Sequence, residues 1–413
     1  MSLLLIFVDA LAYEYLAHKS LPFLNDVLDC GFCTKLETQL GYSAGIHASI
    51  WTGTTPRTHG KWTQYYYEPH YLKGLTSRFA DSLPSGIMKT AIKMTYQKLT
   101  RRDPGFMPGL PPRSSYLFSG EPWLADLPEN YMKHFEGKVL RIPTLFDILR
   151  ENDFPYSYSY YNGSISCKAN IMNALKSLKG KNRKVHVVFT NIIDEAGHKL
   201  GPHSPEIDEE LTQLDSSLLD FANEIDSSVS HTIVFSDHGM TAIKKTLNIQ
   251  NLLKDSHLTF GENYLAFHDA TMSRFWYGNN SVKDKLISVL DAIPFGRVLT
   301  ENDLKLYGVD FESSDRRRFG ELIFLADPGV YVFPNYLQCL FSNYHKAAHG
   351  YDPKHKSSYG AFLYRGPLTD RFKRAKEMSV IDLLPTIFDL LDLPTPATCE
   401  GVSALERKMT SDP

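Results

Sequence analysis

Residues 3–8 form an unbroken apolar run that stops at Asp9, the pattern of a parallel strand buried on both faces. The pattern recurs at residues 185–193, which deliver Asp194-Glu195-Ala196-Gly197-His198, and at 231–236, which lead into Asp237-His238-Gly239-Met240. Further strands are predicted at 154–161, 361–364 and within 31–40. Between them lie helix-compatible stretches at 11–30, 171–178 and 380–391, and a helix start at Pro143-Thr144-Leu145 with proline near its first position. Residues 206–225 place Ile207, Leu211, Leu214, Leu218 and Ile225 on one helical stripe. Strands alternating with helices predict an α/β fold, a central and mostly parallel sheet with helices on both faces.

Two regions break the alternation. Residues 62–138 mix Tyr65-Tyr66-Tyr67, Tyr71, Phe106, Trp123 and Tyr131 with many prolines, and residues 88–102 hold a basic, helix-compatible run. That segment reads as an insertion forming part of a substrate wall. Residues 245–340, with the charged patch Asp315-Arg316-Arg317-Arg318 and strand-like runs at 321–325 and 330–333, read as a smaller α+β cap lobe over the sheet's active edge. The core then comprises 1–244 and 341–413, without internal repeats.

Composition narrows the class. A hydrophobic content of 43% and charged content of 22% are those of a soluble globular chain of 413 residues. A formal charge of −3 gives no electrostatic footprint for a nucleic-acid polymer. The apolar start has no basic leader or small-residue cleavage site, and no run is long enough to span a bilayer. The five cysteines are scattered, and Cys30-x-x-Cys33 has no second pair, so a reduced, cytoplasmic setting is expected.

The chemistry gathers at strand ends. In open α/β sheets ligands bind beyond the C-terminal ends of strands, where Asp9, Asp194 with His198, and Asp237 with His238 are placed, and a later segment adds His349. Carboxylate and imidazole suit zinc or manganese, and the set lacks the thiolates of a closed structural zinc site. Six such donors and a serine oxygen suffice for two divalent ions at the ~4 Å spacing of phosphoryl-transfer centres. The serine is Ser43, set between Gly41 and Gly45 before an apolar, helix-compatible run. It is either a nucleophile at a helix N-terminus or the N-cap of that helix.

In order along the chain, the strand ending at Asp9, Ser43-x-x-x-His47-Ala-Ser-Ile-Trp-Thr52-Gly53 with Pro56 and His59-Gly60, Asp194-x-x-Gly197-His198-x-x-Gly201-Pro202, Ser236-Asp237-His238-Gly239-Met240 and His349-Gly350-Tyr351-Asp352 resemble the alkaline phosphatase superfamily, in its nucleotide pyrophosphatase/type I phosphodiesterase branch. The resemblance covers about half of the chain and excludes both insertions. It implies one metal held by Asp194, His198 and His349, and a second held by Asp9, Asp237 and His238, with Ser43 as the nucleophile beside it. Coordination would lower the hydroxyl pKa, giving a phosphoryl- or nucleotidyl-serine intermediate.

Three positions depart from the branch. Ser43 stands where its diesterases carry threonine, and Gly45 replaces a proline, which predicts a looser turn. Gln64 stands in register with an asparagine that hydrogen-bonds a non-bridging phosphate oxygen. Loss of such a donor typically costs about 3 kcal/mol of transition-state stabilisation. The leading expectation is hydrolysis of a small-molecule phosphodiester or pyrophosphate. Phosphomonoesterase, phosphonate C–P hydrolase and phosphotransferase remain alternatives. Lys61 is the residue that could neutralise a monoester's extra charge. The sulfatase pattern at the nucleophile is absent, and a non-catalytic binding protein would have lost metal donors. Tyr160 and Tyr161, at a strand end, are candidates to stack on a base or line an apolar pocket, or else are core tyrosines.

Overall fold

The computed structural model describes residues 2–17, 21–68, 95, 117–120, 140–176, 184–224, 229–337, 345–372 and 377–405. Most of the 62–138 insertion, including the basic run at 88–102 apart from residue 95, and Tyr71, Phe106, Trp123 and Tyr131, lies outside the described residues.

Seven strands make the central sheet: β1 (Ser2–Val8), β2 (Phe32–Glu37), β3 (Tyr156–Tyr160), β4 (Lys184–Thr190), β5 (His231–Phe235), β6 (Gly360–Arg365) and β7 (Met378–Ser379). Their order is β7-β2-β6-β5-β1-β4-β3. All neighbours pair in parallel except β6, which runs antiparallel to both β5 and β2. β1 and β4 are buried along their whole length, which is why Leu3–Val8 reads as a continuous apolar run and β4 as a mostly apolar one broken by His186. Register sets the strand ends level. Val8 lies opposite Thr190, Phe7 opposite Phe235, and the Asp9 N–H donates to the Thr190 carbonyl at 2.9 Å.

Alternate β1 residues feed two cores. Leu3, Leu5 and Phe7 pack with the Ser43–Thr52, Leu145–Glu151 and Leu383–Leu391 helices. Leu4, Ile6 and Val8 pack with Pro22–Cys30, Ile165–Lys176, Ile192–Leu200 and Pro205–Glu224. The predicted 11–30 helix divides into a 3-10 turn at Tyr13–Ala17 and the Pro22–Cys30 helix, where proline supplies a first-turn start. No helix among the described residues is long and apolar enough to cross a membrane.

The smaller lobe carries a four-stranded sheet ordered Tyr264–His268, Met272–Tyr277, Leu322–Ala326, Gly296–Val298, with all pairs antiparallel. One face covers the Asn280–Asp291 helix. On the other, Met272, Ile323 and Leu325 pack with Leu40, Tyr42 and Trp62 of the core. The lobe is thereby joined to the loop that precedes Ser43.

At its centre Arg274 and Asp269 form a fully buried bidentate pair, with Nε–Oδ2 at 2.7 Å and Nη2–Oδ1 at 3.3 Å. Breaking a buried pair from one side strands a charge. Arg274→Met should therefore cost about 3–5 kcal/mol, read as a lower urea midpoint at unchanged slope. An unchanged midpoint would show that Asp269 finds its countercharge elsewhere.

His59 gives the fold a pH dependence. Lys61 N–H donates to its Nδ1 at 3.2 Å, so Nε2 carries the proton and donates to Ser49 Oγ at 2.9 Å. Burial first, then the nearby Lys61 and Arg141 charges, push this imidazole down to about 3. An unfolded histidine takes up a proton below about 6.5 while the folded one does not, so stability falls as pH drops from about 6.5 towards 3. The slope is on the order of 1.4 kcal/mol per pH unit. His59→Gln should flatten the acid limb of the urea-stability curve by that amount. A parallel curve would remove His59 from the acid response.

Candidate metal centre and nucleophile

Three neighbouring strands deliver the acids. Asp9 follows β1 directly, and Asp237 lies two residues past the end of β5. Asp194 departs from its expected place at a strand end. It lies in the first turn of the Ile192–Leu200 helix, so that His198, four residues on, stands over it on the same face. His349 arrives on a short ladder in which Ala348 pairs with Thr241. That pairing stacks its ring on His238, with centroids 3.8 Å apart and planes 9° from parallel.

The donors converge. His198 Nε2 lies 3.4 Å and His349 Nε2 3.7 Å from Asp194 Oδ1. His238 Nε2 lies 3.4 Å from Asp9 Oδ1 and 3.2 Å from Asp237 Oδ2. Three overlapping groups, Asp194–His198–His349, Asp9–Asp194–His238 and Asp9–His47–Asp237, each bring their donor atoms within 4.8 Å of one another.

Asp9 Oδ1, Asp194 Oδ1 and His238 Nε2 are buried without a hydrogen-bond partner. Buried polar atoms otherwise find partners, so atoms of this kind facing one another fit divalent cations. The electrostatics agree. Burial, then the carboxylates of Asp237 and Asp194, hold the Asp9 carboxyl well above its usual range, a cost that a bound cation reverses. Burial would raise Asp194 as well, but His198 and then His349 outweigh it and hold the acid low. For Asp237, burial is outweighed by His238 and His47, bringing it down to about 2.

Hydrogen bonds on the far side of the rings fix tautomers. His198 Nδ1 is 2.8 Å from the Ala347 carbonyl and His238 Nδ1 is 2.9 Å from that of Gly239. Each Nδ1 must donate, which leaves Nε2 as the donor atom for a metal. Ala10 adopts φ +60, unusual for a residue with a Cβ, and its N–H reaches Asp237 Oδ1 at 3.3 Å.

Ser43 opens the Ser43–Thr52 helix, whose other residues are all buried, while Ser43 is partly exposed. The N-cap is Tyr42 and no side chain caps the helix, so the Ser43 hydroxyl has no capping role. One turn along the same face, His47 Nε2 meets Asp237 Oδ2 at 3.0 Å, anchoring the Ser43 helix to the donor cluster. His47 is the residue whose role the sequence reading passes over. Its signal was the four-residue spacing from Ser43. His345, with its ring 4.5 Å from that of His198, was also missed.

Gly45 does not loosen the turn. A Cβ there would meet the Trp62 carbonyl oxygen at 2.5 Å and Trp62 Cα at 2.9 Å. The glycine is required by close packing, and it presses the loop of Lys61 and Gln64 against the helix's first turn. Both side chains are half-buried, with Gln64 in the bend before the Tyr65–Tyr67 strand.

Tyr160 and Tyr161 separate. Tyr160 donates to Asn191 Oδ1 at 2.5 Å, at the N-cap of the helix bearing Asp194 and His198. Tyr161 belongs to the core rather than to a pocket. It packs edge-on to Phe221 at 5.2 Å and bonds Ser217 at 2.9 Å, both on the Pro205–Glu224 helix.

A family model described as type I phosphodiesterase / nucleotide pyrophosphatase matches residues 3–352. Human ectonucleotide pyrophosphatase/phosphodiesterase family member 5 is 21% identical over 253 residues, 60% of this chain and 50% of that protein. Mouse family member 7 is 24% identical over 213 residues, 50% of this chain and 47% of that protein. The aligned chain thus spans about half the length of these relatives. Among solved structures, human family member 5 superposes with TM-score 0.67 at 15% identity, covering 96% of both chains. The murine protein, as an inactive variant in complex with AMP, gives 0.66 at 16% identity over 95% of this chain and 96% of that one. Those structures share the fold, and the family match extends through all of the strand-end motifs. The chain belongs to the type I phosphodiesterase / nucleotide pyrophosphatase family.

Proposed function

We propose that this chain hydrolyses phosphodiester or pyrophosphate bonds of a small molecule, with Ser43 as nucleophile. The observation that carries the reading is the overlap of three carboxylate–imidazole groups, buried or half-buried, one of which includes His47 of the helix that Ser43 opens. Asp194, His198 and His349 would hold one divalent ion, and Asp9, Asp237 and His238 a second, with His47 bracing Asp237. Imidazole and carboxylate donors favour zinc, with manganese as the second choice. Bound there, such ions supply Lewis acidity and lower the pKa of a coordinated hydroxyl.

The chain's own residues do the rest. Ser43 Oγ attacks phosphorus, a P–O bond to the leaving group breaks, and a phosphoryl- or nucleotidyl-serine forms. Water then cleaves the Oγ–P bond and restores the hydroxyl. The helix N-terminus would place partial positive charge where the phosphate oxygens gather, and the Gln64 amide is the candidate donor to one of them. The AMP bound to the murine relative supports a nucleotide-type substrate.

The test is hydrolysis of a chromogenic phosphodiester against its matching monoester, with and without chelator. Diester turnover abolished by chelator and restored by zinc or manganese is expected. Monoester preference would replace this reading with a phosphatase one, with Lys61 as the charge partner.

A further inference from the structure

Tyr42 sits between Ser43 and the lobe. It is only 4% exposed, and its ring meets that of His349 edge-on at 5.9 Å. Its oxygen lies 2.9 Å from Thr271 Oγ1 and accepts from the Thr271 N–H at 3.0 Å. Thr271 Oγ1 in turn donates to the Gly350 carbonyl at 2.8 Å. A hydroxyl has one proton to give, so this last bond fixes the others. The Tyr42 hydroxyl donates to Thr271, and Thr271 donates to the residue after His349.

The junction is close-packed. Gly350 has φ +89, and a Cβ there would meet the Gly41 carbonyl oxygen at 2.8 Å, with Thr271 Oγ1 and Tyr42 Cε1 both at 3.0 Å. Thr271 stands on a firm base. It lies between the Tyr264–His268 and Met272–Tyr277 strands, and its carbonyl accepts from Ala326 N–H at 2.9 Å. The buried Asp269–Arg274 pair flanks it. Neither Tyr42 nor Thr271 is a metal donor, yet one precedes the nucleophile and the other holds the backbone next to His349.

We propose that Tyr42 and Thr271 are positioning residues, a two-hydroxyl relay by which the lobe holds the His349 loop and the first turn of the Ser43 helix in one fixed relation. The kinetic half of this inference rests on the hydrolase reading above; the metal-binding half does not. Groups at this remove from a metal typically change affinity or activity 10- to 100-fold when lost.

The experiment compares the full chain with Tyr42→Phe, Thr271→Val and Thr271→Ser. Zinc affinity is measured by competition with a metallochromic chelator, and kcat and KM on a chromogenic phosphodiester. Tyr42→Phe keeps the ring against His349, and Thr271→Val keeps the backbone N–H. Both should weaken zinc binding about tenfold or more and lower kcat 10- to 100-fold with KM within about twofold. Thr271→Ser, which keeps the hydroxyl, should match the parent in both. Parent-like zinc affinity in the Phe and Val variants overturns the relay, as does an equal loss in Thr271→Ser. If one variant fails to fold, the other decides. A parent that binds zinc but hydrolyses no diester would count against the proposed function, and the zinc affinities would still decide the relay.

Discussion

Ser43→Ala is expected to lower phosphodiester turnover by about 10⁴-fold or more, the scale on which loss of a nucleophile acts, while leaving the protein folded and its metal content intact. The fold is spared because the hydroxyl does no structural work. Tyr42 is the N-cap, no side chain caps the helix, and alanine is the better helix former. The change in stability should stay within about 0.5 kcal/mol. The pairing of large catalytic loss with unchanged melting temperature is the diagnostic result. Activity within tenfold of the parent would remove Ser43 as nucleophile and turn attention to a directly activated water.

Asp194→Asn should be nearly as severe through a different cause. Asp194 takes part in two of the three donor groups, and His198 and His349 both face its Oδ1. The amide keeps the shape but loses the charge that both imidazoles and a cation would share. Metal content should fall from two equivalents towards one, with at least a ~10³-fold loss of turnover, equivalent to the several kcal/mol that a Lewis acid contributes. Retention of two equivalents at parent affinity would place the metals on other donors.

Much of this was legible in the sequence because burial writes itself into composition. The fully buried β1 and β4 are dominated by apolar residues, so their ends, and the acids beyond them, could be located. Asp9, Asp237, His238 and His349 sat in motifs short enough to read as units. What was illegible depended on long-range packing. His47 reads as one residue in a helix until Asp237, 190 positions later, meets it. Gly45 reads as slack until the Trp62 carbonyl is seen against it. Tyr160 and Tyr161 read alike, but alternation along the chain sends them to different partners. The lobe resisted reading because its strands are short and antiparallel and its polar interior, Asp269 with Arg274, breaks the apolar pattern.

The sheet order also bears on how the chain is made. β1 emerges well before both of its neighbours, β4 at Lys184–Thr190 and β5 at His231–Phe235. At ~5–20 residues per second of synthesis, a strand with six consecutive apolar residues, Leu3–Val8, waits roughly 10 to 40 seconds for its first partner. Non-local parallel pairing of this kind folds slowly and leaves sticky intermediates. The strand that carries Asp9 is therefore also one exposed to aggregation while it waits, and the yield of soluble protein should depend on how quickly residues 184–235 follow it.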